Sequence, residues 1–215
     1  MAAVSSLIYK HRSIYHILMR VLYGGHFRAR YSAIAEEVPP GAAVLDVCAG
    51  DGYLYLRCLR ARQVSYRALD ISPELVRWMK RHGIEAYRFD VWRDALPAAD
   101  VVIMQASLYQ FLPDAARVIE KLLDAARERV IIAEPIRNLS SSNNPLVRLI
   151  AKRMTRPGEG DGQYEAHRFT SASLLDTFNR FPAFERSRLV PGGREMIGIF
   201  RGRRPRGGVS DPARP

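Results

Sequence analysis

The fold is decided by the stretch Val44-Leu45-Asp46-Val47-Cys48-Ala49-Gly50-Asp51-Gly52-Tyr53-Leu54. It begins as a short apolar run, which is typical of a buried strand. It then breaks at two glycines, which allow a tight turn and a close approach of the backbone to a ligand. After Gly52 the leucines recur at helical spacing. A strand, a glycine turn and a helix in this order can bind a nucleotide-like ligand at the carboxyl edge of a parallel sheet.

Strand and helix patterns alternate along the middle of the chain. They predict strands at residues 44–47, 66–70, 85–89, 100–105 and 130–133, and helices at 53–62, 72–82 and 113–128. The connection between the third and fourth strands is too short for a full helix. Five strands separated by helical segments predict a parallel, doubly wound α/β sheet. Further on, Thr170 and Ser171 begin another helix, and strands at 184–190 and 196–201 form a hairpin-like pair.

Three regions are expected. Residues 1–40 form an N-terminal arm or lid of two helices, at 4–23 and 26–37, which packs on the sheet, covers the ligand or touches a membrane surface. Residues 41–202 form the main domain. Within it, residues 135–169 are an insertion with a polar loop at 138–144 and a short helix at 145–154. Residues 203–215 are rich in Arg, Pro and Gly and are predicted to be a disordered basic tail.

Composition restricts the class of protein. The 215 residues are 47% hydrophobic, which suits one globular domain with appendages. No apolar run approaches the roughly 20 residues of a membrane span, and basic residues interrupt any signal-peptide pattern near the N-terminus. The two cysteines, Cys48 and Cys58, are not placed for a disulfide, which favours a cytoplasmic location. No Cys/His cluster has the spacing of metal ligands, so no metal is expected.

The net charge of +11 is unevenly distributed. Residues 41–135 carry thirteen basic and thirteen acidic side chains, so the excess lies on either side of the predicted core. Such an excess attracts nucleic acid, anionic lipid or an acidic substrate. The abundance of Arg and Ala gives a second explanation, which is a compositional bias of the source genome.

Acidic residues follow successive strands at the edge of the predicted sheet. Asp46 lies in the first strand, and Asp70 ends the second strand twenty residues after Gly50. A carboxylate at that position can accept hydrogen bonds from both ribose hydroxyls of a nucleoside. Asp90 ends the third strand, where it could meet an adenine amino group, and the fourth strand ends beside the same crevice at Gln105.

This set of motifs resembles the class I S-adenosylmethionine-dependent methyltransferases over residues 41–134. The first motif of that family, an acid followed by alternating glycines, is matched by residues 46–52, with Cys48 in place of the first glycine. Residues 68–72, 89–92 and 100–111 match the next three motifs. The resemblance implies a Rossmann-like, seven-stranded, mostly parallel α/β sheet whose last strand is antiparallel. A dinucleotide dehydrogenase is the alternative, but Tyr55 stands where its third fingerprint glycine would be.

The resemblance also implies S-adenosyl-L-methionine as cofactor and a role for each matching residue. Asp70 would bind the ribose, with Ile71 packed on the adenine, and Asp90 would bind the adenine amino group. Gln105 and Ala106 would offer carbonyl groups near the sulfonium. The implied cofactor-binding residues are Asp46, Cys48, Ala49, Gly50, Asp51, Gly52, Asp70, Ile71, Asp90, Val91, Trp92, Gln105 and Ala106.

Methyl transfer from an activated sulfonium asks mainly for positioning, which supplies up to ~7–11 kcal/mol in well-oriented cases. A general base is needed only where the acceptor must lose a proton. The candidates are Glu134, Tyr109 and His167, with His26 as a further possibility. Glu134 is the best placed because it ends the fifth strand, although a structural carboxylate paired with an arginine would look the same. For His167 a surface role is the alternative.

The acceptor is expected to lie between the N-terminal arm and the segment after the fifth strand. Aromatic and apolar residues with a basic rim suit a small organic or lipid-like molecule, which can be anionic. This layout resembles the quinone-biosynthesis and natural-product branch of the family. RNA methylation through the basic flanks and cofactor binding without turnover are the alternatives. The candidate pocket residues are Tyr15, Met19, Tyr23, Phe27, Tyr31, Tyr109, Phe111, Met154 and Tyr164.

Overall fold

A computed structural model describes residues 26–136 and 168–204 of the chain. Its strands are β1 (Ala43–Val47), β2 (Ser65–Asp70), β3 (Glu85–Arg88), β4 (Ala99–Gln105), β5 (Ala126–Pro135), β6 (Phe184–Leu189) and β7 (Glu195–Arg201). Its α-helices are α1 (Phe27–Ala35), α2 (Pro73–Arg81), α3 (Ala115–Ala125) and α4 (Ser171–Asn179). A π-helical turn occupies Tyr55–Leu59, and 3-10 turns occupy Arg60–Arg62 and Leu108–Phe111.

The seven strands form one sheet in the order β3-β2-β1-β4-β5-β7-β6. Strands β1 to β5 pair in parallel, and β7 pairs antiparallel with both β5 and β6. The predicted seven-stranded, mostly parallel sheet with an antiparallel last strand is thus confirmed. The order reverses between β1 and β4, and in such sheets ligands bind outside the carboxyl ends of the strands at this switch point.

Two apolar layers cover the faces of the sheet. One layer joins β4 and β5 to α3 and α4, through residues such as Leu122 and Phe178. The other joins β1 and β2 to α1 and α2, through residues such as Ile34 and Met79. The central strands are apolar on both faces because both faces are covered, as is usual for parallel sheets.

Local signals set the ends of several helices as predicted. The Ser72 hydroxyl caps α2 by accepting a hydrogen bond from the Leu75 N–H at 3.3 Å, and Pro73 is the first helical residue. Thr170 and Ser173 form a reciprocal capping box at the start of α4. These caps fix where each helix begins after the preceding loop.

Two boundaries differ from the sequence-based predictions. The helix expected at 113–128 ends at Ala125, because the chain joins the sheet at Ala126, opposite Ala99 of β4. Strand β5 is therefore much longer than the predicted 130–133. The helix expected at 53–62 is present, but most of it has π-helical and 3-10 hydrogen bonding.

Several predicted segments lie outside the described residues. They are the helix at 4–23, the loop at 138–144, the helix at 145–154 and residues 205–215 of the tail. The described start of the tail stays against the domain, since the Arg203 N–H donates to the Leu123 carbonyl at 3.1 Å and its guanidinium contacts Glu120. Within residues 26–136 and 168–204, no helix is long and apolar enough to cross a membrane, and no cluster of metal-ligating side chains occurs.

Candidate cofactor and acceptor site

A cavity of about 230 Å³ opens at the carboxyl ends of β1, β2 and β4. Many of the predicted cofactor residues line it, although they come from three separate strand ends. They are Asp46, Cys48, Ala49, Gly50, Asp51, Asp70, Ile71, Gln105 and Ala106.

The two glycines of the turn after β1 do different work. Both have a positive φ, +62° at Gly50 and +69° at Gly52, which favours glycine. A Cβ on Gly50 would meet no atom within 4 Å, and Gly50 lines the cavity. A Cβ on Gly52 would lie 2.5 Å from Ile84 Cδ1, and Gly52 is not a lining residue. Gly50 therefore leaves room for a ligand, whereas Gly52 allows the turn to pack on the core.

Asp70 is fixed by two loops at the cavity wall. Its Oδ2 accepts a hydrogen bond from the Gly50 N–H, and its Oδ1 accepts one from the Ser72 N–H, both at 2.9 Å. The residue is buried, and burial raises the pKa of the carboxyl although both backbone hydrogen bonds lower it. A carboxylate oxygen has two lone pairs, so Asp70 can also accept hydrogen bonds from a ligand.

The carboxylate of Asp46 is hydrogen-bonded to Tyr66, a residue that the sequence did not single out. The Tyr66 hydroxyl donates to Asp46 Oδ2 at 2.5 Å, and both residues are buried. Burial raises the pKa of Asp46 to about 7, against the lowering effect of the Tyr66 hydrogen bond. The Tyr66 ring stacks on Tyr55 with centroids 4.6 Å apart. These contacts hold Asp46 as a buried, hydrogen-bonded acid at the cavity wall.

The predicted residues after β3 do not line the cavity. Asp90 accepts a hydrogen bond from the Trp92 N–H at 2.9 Å, within its own turn, and Val91 is buried in the core. The Trp92 ring is about half exposed and meets Phe111 edge-on, with centroids 5.6 Å apart. The adenine-binding roles of Asp90, Val91 and Trp92 therefore remain predictions. They require a ligand that extends beyond the cavity.

Glu134 lies beneath the turn that follows β4. It is fully buried and does not line the cavity. Its Oε2 accepts a hydrogen bond from the Leu108 N–H at 2.9 Å, and burial raises the pKa of the carboxyl to about 8. The Glu134 carboxylate is bound by backbone N–H groups, and not by an arginine, which was the structural alternative. This geometry suits a residue that holds the turn, not one that reaches an acceptor.

One wall of the cavity is aromatic. Tyr31 of α1 and Tyr109 line it as predicted, and Tyr53 joins them, with its ring centroid 4.4 Å from that of Tyr31. Phe27 lies behind these rings and Phe111 packs on Trp92, so neither lines the cavity. The other predicted residues on this side lie outside the described residues: Tyr15, Met19, Tyr23, Met154, Tyr164 and His167.

The same wall contains a buried ion pair. Arg30 of α1 lines the cavity, and its Nε lies 2.7 Å from Oε2 of Glu195 at the start of β7. Both side chains are only 1% exposed. Gln105, at the end of β4, donates from its side-chain amide to Glu195 Oε1 at 3.2 Å. Three polar side chains from distant parts of the sequence thus meet at one end of the cavity.

Comparison with protein families shows which family the chain belongs to. A family model described as "Methionine biosynthesis protein MetW" matches residues 28–153, which is more than half of the chain. The chain belongs to the MetW family. The MetW chain is also 32% identical over 100 residues to a ubiquinone biosynthesis O-methyltransferase of Xylella fastidiosa. That match covers 42% of this chain and 40% of the relative, so the chain spans less than half the length of that enzyme.

Several solved structures with the same fold are named as methyltransferases. The magnesium protoporphyrin IX methyltransferase of Synechocystis, with bound SAH, has a TM-score of 0.61 at 16% identity and covers 93% of this chain and 100% of its own. A SAM-dependent methyltransferase of Aquifex aeolicus has a TM-score of 0.59 at 15% identity and covers 85% and 96%. The fold implied by the resemblance is confirmed: this MetW-family chain has the fold of these S-adenosylmethionine-dependent methyltransferases.

The site contains several residues that the sequence did not single out, among them Tyr66, Tyr53, Arg30 and Glu195. Tyr66 carried a usable signal, because a tyrosine in a buried strand needs a partner for its hydroxyl. Tyr53 follows the glycine turn directly and could have been found from that position. Arg30 and Glu195 carried none, since each lies in a segment whose packing depends on the distant hairpin of β6 and β7.

Proposed function

We propose that this MetW-family chain binds S-adenosylmethionine in the cavity and transfers its methyl group to a small organic or lipid-like acceptor. The observation that carries the proposal is the fixed carboxylate of Asp70. It stands beside the open backbone of Gly50, where it could accept hydrogen bonds from the hydroxyl groups of a ribose.

The residues present fit this cofactor. It carries positive charge on its sulfur and its amino group, and the acids Asp46, Asp51 and Asp70 line the cavity. The missing Cβ of Gly50 leaves space for close backbone contact. Ile71 is 59% exposed at the cavity and offers an apolar surface for a planar base.

The chain would act mainly by positioning. The cofactor supplies a methyl group on a positively charged sulfur, which is already activated for displacement. The walls made by Tyr31, Tyr53 and Tyr109 would orient the acceptor and exclude water, and orientation alone is worth up to about 7–11 kcal/mol. Where the acceptor is a hydroxyl, Tyr109 is the candidate for binding its oxygen, because its ring lies on the wall with the Arg168 guanidinium 5.0 Å from its centroid.

A small acceptor is favoured by the cavity and by the relatives. Three tyrosines, Tyr31, Tyr53 and Tyr109, line the cavity, and an aromatic wall suits a small organic acceptor. The Xylella relative is named for ubiquinone biosynthesis and O-methylation, and a structural neighbour is a mitomycin 7-O-methyltransferase with a TM-score of 0.62 and 15% identity that covers 94% of this chain and 61% of its own. A cytoplasmic location belongs to the proposal as well, supported by two free cysteines.

The test has two stages. Calorimetry should first detect binding of S-adenosylmethionine. Transfer of a labelled methyl group into cell extract, fractionated into small molecules, lipid, RNA and protein, should then place the label in the first two fractions. Label in RNA would overturn the small-acceptor proposal, and binding without any transfer would indicate a cofactor-binding protein.

A further inference from the structure

A buried polar network crosses the carboxyl edge of the sheet. Glu195 of β7 binds Arg30 through Oε2 and Gln105 through Oε1, at 2.7 and 3.2 Å. Arg30 and Gln105 line the cavity, whereas Glu195 does not. The network therefore joins helix α1, strand β4 and strand β7 at one place beside the candidate cofactor site.

Stability alone gives a poor explanation of this network. Moving an arginine and a glutamate out of water costs free energy that their attraction often fails to recover, and apolar replacements of similar volume are frequently as stable. Surface ion pairs already connect α1 to the hairpin, because Arg188 of β6 lies 2.9 Å from Glu36. We therefore look for a role of the Arg30–Glu195 pair beyond the attachment of α1 to the hairpin.

The backbone next to Gln105 has an unusual conformation that the network can stabilise. Ala106 has a φ of +53°, which is unfavourable for a residue with a Cβ. Such a conformation persists where the surrounding contacts fix it. The Ala106 N–H donates to the Ala133 carbonyl at 2.7 Å, and the Ser107 hydroxyl donates to the Gln105 carbonyl at 3.0 Å. The bond from the Gln105 side chain to Glu195 is a third restraint on the same segment.

We propose that Glu195 is a positioning residue of the cofactor site. With Arg30 it holds Gln105, and through Gln105 it sets the backbone of Gln105 and Ala106 at the cavity wall. Cofactor affinity then depends on the buried contacts of Glu195 with Arg30 and Gln105. This inference rests on the proposed function, because it assigns the segment to the binding of S-adenosylmethionine.

The variant Glu195→Gln tests the proposal. It keeps the shape of the side chain and removes the charge that pairs with Arg30, and Glu195 itself does not line the cavity. We expect S-adenosylmethionine to bind about tenfold more weakly by calorimetry. S-adenosylhomocysteine, which lacks the charge on sulfur, should weaken by the same factor, because a displaced backbone affects both ligands.

The matched control is Arg188→Met, which removes the surface contacts of this β6 residue with Glu36, directly after α1, and with the Ala33 carbonyl of α1. It should leave both affinities within about twofold. An equal loss in this variant would mean that helix docking as such, rather than the buried network, controls the site, and would overturn the proposal.

Two further outcomes decide against Glu195 as a positioning residue. Unchanged affinities in Glu195→Gln would do so directly. A loss confined to S-adenosylmethionine would indicate a through-space charge effect instead. Lack of binding by the unaltered chain is distinct from both, since it would overturn the proposed function itself. A melting curve of each variant separates loss of affinity from loss of folding.

Discussion

The two ends of the cavity are built in different ways. The glycine end, formed by residues 48–51 and Asp70, is held by hydrogen bonds to Asp70 from Gly50 and Ser72, which lie twenty and two residues away in the sequence. The helix end, formed by Arg30, Tyr31 and Gln105, is held by Glu195, which lies ninety residues beyond Gln105. A motif can encode the first end, whereas the second exists only when the two ends of the chain pack together.

The two ends of the cavity also fit different ligands, the cofactor and the acceptor. The glycine end contains the features that fit a nucleoside: an open glycine backbone and a fixed carboxylate. The helix end contains the aromatic wall and the buried ion pair. We therefore expect changes at the glycine end to affect the cofactor alone, and changes at the helix end to affect the acceptor and, through Gln105, the cofactor as well.

The largest effect is expected for Asp70→Ala. Loss of the carboxylate removes the proposed ribose contact and the partner of two backbone N–H groups. Hydrogen bonds to charged groups contribute about 1.5–3 kcal/mol each, so affinity for S-adenosylmethionine should fall about 100-fold by calorimetry. Unchanged affinity would remove the ribose assignment. Asp90→Ala is the comparison variant, because the Asp90 carboxylate binds its own turn and does not line the cavity. A similar loss there would support its predicted adenine role.

The two glycines provide the next contrast. Gly52→Ala should lower the free energy of unfolding by about 2–4 kcal/mol, since backbone strain adds to a collision with Ile84. Gly50→Ala should cost only the strain, about 1–2 kcal/mol, but its methyl group would enter the cavity and weaken cofactor binding. Urea unfolding and calorimetry on both variants measure the two effects. A larger loss of stability in Gly50→Ala, with weaker cofactor binding only in Gly52→Ala, would contradict the roles given to the two glycines.

Stability should fall as pH rises from about 4 to about 8. Burial raises the pKa of Asp46 from 3.8 to about 7 and that of Glu134 from 4.5 to about 8. Between these values the folded chain keeps protons that the unfolded chain has released, so each costs up to about 1.4 kcal/mol of stability per pH unit. Urea unfolding across this range measures the slope.

The matched variants separate the two acids. Asp46→Asn should reduce the slope mainly below about pH 7, and Glu134→Gln should reduce it up to about pH 8, because each removes one retained proton. A slope that neither variant changes would show that other groups cause the pH dependence.

The smallest effect is expected for Cys48→Gly, which restores the glycine of the family motif. Cys48 has a φ of 61°, so glycine would relieve strain at the cost of a partly buried side chain. These terms nearly cancel, and the change in the free energy of unfolding should stay within about 1 kcal/mol. A larger loss in urea unfolding would give the thiol a packing role that the strain argument neglects.

Much of the core was predictable because its signals are local. The caps at Ser72 and Thr170 begin their helices where expected, and the two strands near the C-terminus join the sheet as the resemblance implied. The end of α3 was not predictable, because pairing of Ala126 with β4 overrides the helical pattern of the sequence. The role of Glu134 was also out of reach, since burial under the 108–111 turn depends on the whole sheet.

The sequence by itself determined the order of strands and helices, the glycine turn and the position of Asp70 twenty residues beyond Gly50. These follow from periodicity, backbone conformation and caps, which act over a few residues. Only the tertiary structure decided which of the predicted residues share a cavity, and that Arg30 and Glu195 meet beside Gln105. The physical reason is that burial and charge pairing depend on neighbours in space, which the packing of α1 and β7 against the strand ends brings together.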